Sequence, residues 1–112
     1  MVEVKAVVVG SVGLGHGDEK LGGILLANFL RLLGERDSLP DYVILWNEGV
    51  KLALEDSMWI NHLRNLESKG VRIILCRTCI EYFGLEGKTV VGEIGNMAQI
   101  QEILLKNVSL TV

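Results

Sequence analysis

One alternation recurs along the whole chain and leaves few folds open to it. A short apolar run ends at a glycine or turn, and a stretch with apolar residues at helical spacing follows. Val4 and Ala6 to Val9 make the first run, which ends at Gly10; Tyr42 to Trp46 and Val71 to Leu75 make the second and third. Runs that are continuous rather than alternating suit strands covered on both faces, as in a parallel sheet. Between them, Asp18 is placed to cap a helix carrying Leu21, Ile24, Leu25, Phe29, Leu32 and Leu33 on one stripe, closed by Gly34 and Pro40. Asp56 or Ser57 opens a second helix with Trp59, Leu63 and Leu66 inward, stopped by Gly70. A short third helix runs to Gly84, and Asn96 caps a fourth with Met97, Ile100, Ile103 and Leu104 inward. Thr89 to Val91 predicts a fourth strand. Val108, Leu110 and Val112, alternating with polar residues, predict a last strand with one face partly exposed. Val50 to Leu54 has no assigned type. Strand alternating with helix demands right-handed parallel crossovers. The expected fold is α/β: a single doubly wound domain over residues 1–112, about five mostly parallel strands with helices on both faces.

A chain of 112 residues suits one domain, and its 49% hydrophobic and 22% charged residues are those of a globular protein. A net charge of −3 with no clustered Lys or Arg excludes a nucleic-acid footprint. Every apolar run is far shorter than the roughly 20 residues that cross a bilayer, so no membrane partner is expected. Met1 leads into Val2-Glu3-Val4-Lys5 rather than a basic and then apolar leader, which predicts a cytoplasmic location. In a reducing cytosol two cysteines are seldom a structural disulfide, and two cannot complete a four-ligand zinc site. Neither metal nor cofactor is expected, and the chemistry left to the chain is thiol chemistry.

In open parallel sheets ligands bind beyond the carboxyl ends of the strands. Four segments should meet there: Gly10 to Asp18, Asn47 to Gly49, Cys76 to Cys79, and Glu93 to Asn96. The central one reads Cys76-Arg77-Thr78-Cys79. Thr78 followed by Glu81 matches a capping box, which places Thr78 at the N-cap and Cys79 in the first turn. There the helix amides and the Arg77 charge would favour a thiolate. A start one or two residues earlier would exchange the roles of the two cysteines. The bland alternative is a pair of small buried hydrophobes. His16 is a candidate base or thiolate partner, with Asp18 beside it, and Asn47, Glu48 and Asn96 are candidate crevice residues. Gly13-Leu14-Gly15-His16-Gly17 is no nucleotide loop, because Asp18 stands where the last glycine belongs and no Gly-Lys-Ser/Thr follows. Its glycines suit tight turning and close approach of another chain or substrate. Trp46 and Trp59 are read as core or subunit-contact residues, and His62 as surface.

A further set of residues runs through the chain: Gly17-Asp18-Glu19 with Leu21-Gly22, Asn28-Phe29-Leu30, Leu39-Pro40, and Asn47 with Gly49-Val50-Lys51-Leu52. It continues through Gly70-Val71, Cys76-Arg77-Thr78-Cys79, Tyr82, Gly84-Leu85, Gly92-Glu93 and Asn96-Met97, and so spans nearly the whole chain. In these residues the sequence resembles the DsrE/DsrF-like sulfur-relay family, and within it the C-terminal domain of YedF-type (sulfurtransferase-like selenium metabolism) proteins. The resemblance implies a parallel-sheet α/β fold, a persulfide-accepting cysteine at the end of the third strand, and a homo- or hetero-oligomer. Spacing to Gly84 matches Cys76 to that cysteine and makes Cys79 the extra thiol of the YedF-type variant. The TusA-like N-terminal domain of those proteins has no room in this chain, so the handover it would perform must come from a separate protein, a TusA-like one being a candidate, or the activity is absent.

The resulting expectation is a sulfurtransferase-like persulfide carrier working with sulfur-donor and sulfur-acceptor proteins. Two alternatives stand beside it. One is a dithiol redox protein cycling Cys76 and Cys79; the chain lacks the cis-proline of a thioredoxin, since Pro40 is its one proline. The other is a non-enzymatic subunit or ligand-binding module.

Overall fold

The computed structural model describes residues 3–112. The three apolar runs form strands β1 (Ala6–Val9), β2 (Tyr42–Leu45) and β3 (Arg72–Cys76), and nearly every residue in them is buried. Two shorter strands, β4 (Glu93–Gly95) and β5 (Ser109–Thr111), flank them in the order β4-β3-β2-β1-β5, every neighbouring pair parallel. The register is even, with Val9 beside Leu45 and Leu45 beside Leu75, so the central strands end nearly level. Four helices connect them: α1 (Glu19–Gly34), α2 (Ile60–Ser68), α3 (Arg77–Tyr82) and α4 (Met97–Lys106). The step from β1 to β4 runs in one direction across the sheet, and the return from β4 to β5 runs in the other. Right-handed crossovers therefore set α1, α2 and α3 on one face and α4 on the opposite face. The expected doubly wound α/β domain is what forms. No helix among the described residues is long and apolar enough to cross a membrane.

The inward face of α1 differs from the expected stripe. Gly22, Gly23, Leu26, Leu30 and Gly34 are buried, whereas Leu21, Ile24, Leu25 and Leu32 are exposed. Close backbone approach decides this rotation. A Cβ on Gly22 would stand 3.0 Å from the Leu14 carbonyl oxygen, and one on Gly13 would stand 2.9 Å from the Gly22 carbonyl carbon. Only a glycine-bearing helix face can lie so near the loop. Of the loop glycines expected to admit another chain or a substrate, Gly13 instead admits the protein's own helix, while Gly15 and Gly17 stand clear of it.

Three further expectations shift. The second helix begins at Ile60, not at Asp56 or Ser57; Ser57 instead accepts the Trp59 N–H on its hydroxyl, and the Trp59 indole donates to the Gly23 carbonyl at 3.0 Å. Thr89 to Val91 is not a sheet strand: Thr89 makes one antiparallel bridge to Leu54, and β4 forms after the left-handed Gly92 instead. The last strand is an edge strand, and Ser109, Leu110 and Thr111 are all exposed rather than only one face. The untyped segment after β2 is a 3₁₀ helix, Asn47–Ala53, with Val50, Leu52 and Ala53 buried on the core.

Candidate functional site

At the carboxyl edge, β3 continues straight into α3. Cys76 is both the last residue of β3 and the N-cap of α3, extended at φ −63° and ψ 119°. The capping-box expectation is therefore corrected. Thr78 lies inside the first turn and is not the cap, because the strand runs into the helix without an intervening turn. Cys79 becomes the third helical residue, and both cysteines are free, Cys76 buried and Cys79 half-buried.

The 3₁₀ helix leaves β2 beside them. Its Gly49 rests on the end of β1, where a Cβ would stand 2.1 Å from the Val9 carbonyl oxygen, so only glycine fits. Trp46 N–H donates to that same oxygen at 3.3 Å, and the Trp46 carbonyl accepts Gly49 N–H at 2.9 Å. Asn47 between them is held at φ 52°, the left-handed region that asparagine tolerates better than most side chains. Its backbone N–H donates to the Cys79 sulfur, 3.0 Å away.

Adjacent parallel strands whose onward connections leave toward opposite faces open a crevice at their carboxyl ends. β3 leads to α3 on one face and β4 leads to α4 on the other. An open crevice of about 620 Å³ lies beside this divide, lined by Trp46, Asn47, Cys76, Thr78, Cys79, Tyr82, Phe83 and Met97. Its lining is mostly ring, methyl and sulfur surface, with no carboxylate, ammonium or guanidinium among the described residues. Tyr82 and Phe83 stack edge to face at 5.2 Å, and the Lys51 ammonium sits 4.5 Å from the centre of the Phe83 ring. Burial pushes the Cys79 thiol above its ordinary pKa, the neighbouring Cys76 thiol pushes the same way, and the Asn47 N–H opposes both. This reverses the expectation that the turn lowers the Cys79 pKa.

The residues singled out in the sequence divide among several places. Cys76, Cys79, Thr78 and Asn47 share the crevice. His16, Asp18 and Glu48 line a second, polar hollow of about 350 Å³ formed by the glycine-rich loop. Asp18 is occupied as the α1 cap, accepting Leu21 N–H at 2.8 Å, and Glu48 pairs with Lys51 at 3.2 Å. Arg77 is exposed and lines neither space, and Asn96 caps α4 by accepting Gln99 N–H at 2.8 Å. Trp46, Tyr82, Phe83 and Met97 were not expected in the site. Met97, expected inward, is 52% exposed at the start of α4. The signal for Trp46 and Met97 was position, because each stands at or just past a strand end. Among the described residues no group of three or more His, Cys, Asp or Glu is placed to hold a metal ion.

No protein-family model and no curated protein matches the sequence. Among solved structures, the chain is similar to the ychN protein from E. coli, at 27% identity and TM-score 0.71, covering 98% of this chain and 100% of that one. It shares its fold with MTH1491 from Methanobacterium thermoautotrophicum, a protein of unknown function, at 17% identity and TM-score 0.65, covering 98% of this chain and 100% of that one. It also shares its fold with BT1422 from Bacteroides thetaiotaomicron, likewise of unknown function, at 20% identity and TM-score 0.62, covering 96% of this chain and 95% of that one.

Proposed function

We propose that the protein is a sulfurtransferase-like persulfide carrier of the DsrE/DsrF-like kind, with Cys76 as the sulfur-accepting residue and Cys79 as its partner thiol. The observation that carries this reading is the pairing of two free thiols, three positions apart in sequence, in the wall of one open crevice at the carboxyl edge of the sheet. A Cys76 thiolate attacks the terminal sulfur of a donor persulfide. The sulfur–sulfur bond of the donor breaks, its electron pair leaves with the donor thiolate, and the sulfur stays on Cys76 as a persulfide. An acceptor thiolate then takes the terminal sulfur and returns Cys76 to its thiolate. No outside oxidant or reductant enters either step. Cys76 is only 2% exposed, so a donor sulfur must enter the crevice to reach it, which limits loss of the carried sulfur to water. Donor and acceptor are proteins that present a reactive cysteine, a TusA-like protein among them. The exposed Leu21, Ile24, Leu25 and Leu32 of α1 supply apolar surface for a homo-oligomer.

Intact-mass measurement after exposure to inorganic polysulfide, and separately to a cysteine persulfide, tests the reading. Wild type should gain one sulfur, Cys76→Ser should gain none, and Cys79→Ser should gain one and keep it longer. Wild type that stays unmodified with both donors would remove the proposal. The closeness of the two thiols also favours a dithiol redox cycle. That reading predicts a reversible Cys76–Cys79 disulfide with a defined reduction potential and no sulfur adduct.

A further inference from the structure

We propose that the backbone amide of Asn47 is a built positioning group for the Cys79 sulfur, favouring its thiolate against the cost of burial, beside Cys76, so that Cys79 can discharge a sulfur carried there. The discharge half rests on the carrier reading above; the anion-holding half does not. The N–H stands 3.0 Å from the sulfur, and the peptide that carries it is fixed from both sides. Trp46 N–H is bonded to the Val9 carbonyl at 3.3 Å, and the Trp46 carbonyl receives Gly49 N–H at 2.9 Å. Gly49 can take its place only because it has no Cβ to meet Val9. Asn47 completes the arrangement in a left-handed conformation that non-glycine residues seldom adopt. A neutral thiol is a weak hydrogen-bond acceptor, whereas a hydrogen bond to an ionised group is about twice as strong as a neutral one. A committed N–H therefore acts mainly on the thiolate.

Few charged or titratable groups compete for that role. Cys76 from β3 and Tyr82 from α3 share the crevice, and Met97 at the start of α4 carries no charge. On the 3₁₀ helix Glu48 and Lys51 neutralise each other at 3.2 Å. Arg77 of α3 is exposed outside the lining. Burial works against the anion, which leaves the Asn47 amide as the counterweight fixed in the backbone.

In the discharge step the Cys79 thiolate attacks the inner sulfur of the Cys76 persulfide. A Cys76–Cys79 bond forms, the bond to the outer sulfur breaks, and its electron pair leaves with hydrosulfide. The two cysteines are oxidised by the two electrons that reduce the carried sulfur, and a dithiol reductant resets the pair.

The test reads alkylation of Cys79 by iodoacetamide in a Cys76→Ser background, from about pH 6 to about pH 10. Asn47→Gly keeps both the N–H and the left-handed conformation, and its rate profile should overlay that of native Asn47. Asn47→Pro removes the N–H and forces φ to about −65°. Its profile should move to higher pH, with a rate at neutral pH lower by roughly tenfold or more, the scale of one hydrogen bond to a charged group. If far-UV circular dichroism shows Asn47→Pro unfolded, an ester in place of the Trp46–Asn47 amide deletes the same N–H and should give the same shift. A profile unchanged by proline or ester overturns the proposal, even if the two-thiol protein still takes up sulfur. A shifted profile supports the anion-holding role, even if no donor loads Cys76, in which case the carrier reading falls by itself. A shifted profile in a protein that loads sulfur but releases no hydrosulfide overturns the discharge step.

Discussion

Two hollows open on the same edge of the sheet, and they are built in opposite ways. The glycine-rich loop after β1 closes on its own helix: Leu14 N–H donates to the Gly22 carbonyl at 3.0 Å, Ser11 donates to the Gly13 carbonyl, Asp18 caps α1, and Glu48 pairs with Lys51. The crevice beside β3 and β4 opens where the chain leaves to opposite faces, and its wall carries two thiols and a fixed N–H. The first is rich in the residues usually associated with binding, yet Ser11, Asp18 and Glu48 are already engaged within the chain. The second is poor in charge, yet both thiols line it, Cys79 half-buried and Cys76 buried. Proximity to the carboxyl edge alone does not make a site. What matters is whether the local polar groups are already satisfied.

Gly49→Ala should break the contrast most severely. Its Cβ would meet the Val9 carbonyl at 2.1 Å, so the 3₁₀ helix must lift, at a cost of about 3 kcal/mol or more in urea unfolding. The Asn47 contact to Cys79 should be lost with it. A thiol-alkylation profile unchanged in this variant would show that the two crevices do not differ as described. Gly13→Ala should be milder, about 1–3 kcal/mol, because its Cβ meets the Gly22 carbonyl carbon at 2.9 Å. The folded fraction should keep native thiol reactivity, and a change there would join the two hollows after all.

A smaller effect follows from Cys79. Because burial raises its pKa, the native chain holds that proton when the unfolded chain has released it. Stability from this group is complete below the ordinary thiol range and declines as pH rises above about 8.5. Cys79→Ser should flatten that alkaline decline in denaturant midpoints, and an equally steep decline would place its cause elsewhere. The smallest effect is expected at His16. Being exposed in the other hollow, His16→Ala should leave the alkylation rates of both cysteines unchanged, and a marked fall would return His16 to the thiol site.

The central strands were legible because each is a continuous apolar run buried on both faces, and the sulfur-bearing turn because it follows the third of them. The rotation of α1 was not legible. Apolar side chains occur around most of that helix, so its hydrophobic stripe is ambiguous, and the deciding contacts are made by Gly22 and Gly23, which carry no side chain to announce a face. β4 was missed because Glu93-Ile94-Gly95 has one strong strand former, whereas Thr89 to Val91 has three in a row yet reaches only Leu54. The start of α3 was misjudged by two residues because a matching Thr and Glu pair is a local signal, and the strand-to-helix junction at Cys76 is set by the whole sheet. Asn47 was legible as a crevice residue, but its N–H reaching Cys79 goes with Gly49 meeting β1, a contact between distant parts of the chain.

The two outer strands have a consequence for behaviour in a crowded solution. Each is three residues long, and on β4 the Glu93 carboxylate is paired with Arg72 of the neighbouring strand. An exposed strand margin invites other chains to add to it, and brevity and charge are two of the means by which proteins blunt that invitation. Here the lateral growth of the sheet stops at margins too short to template an intruding strand, which helps keep the molecule from polymerising edge to edge.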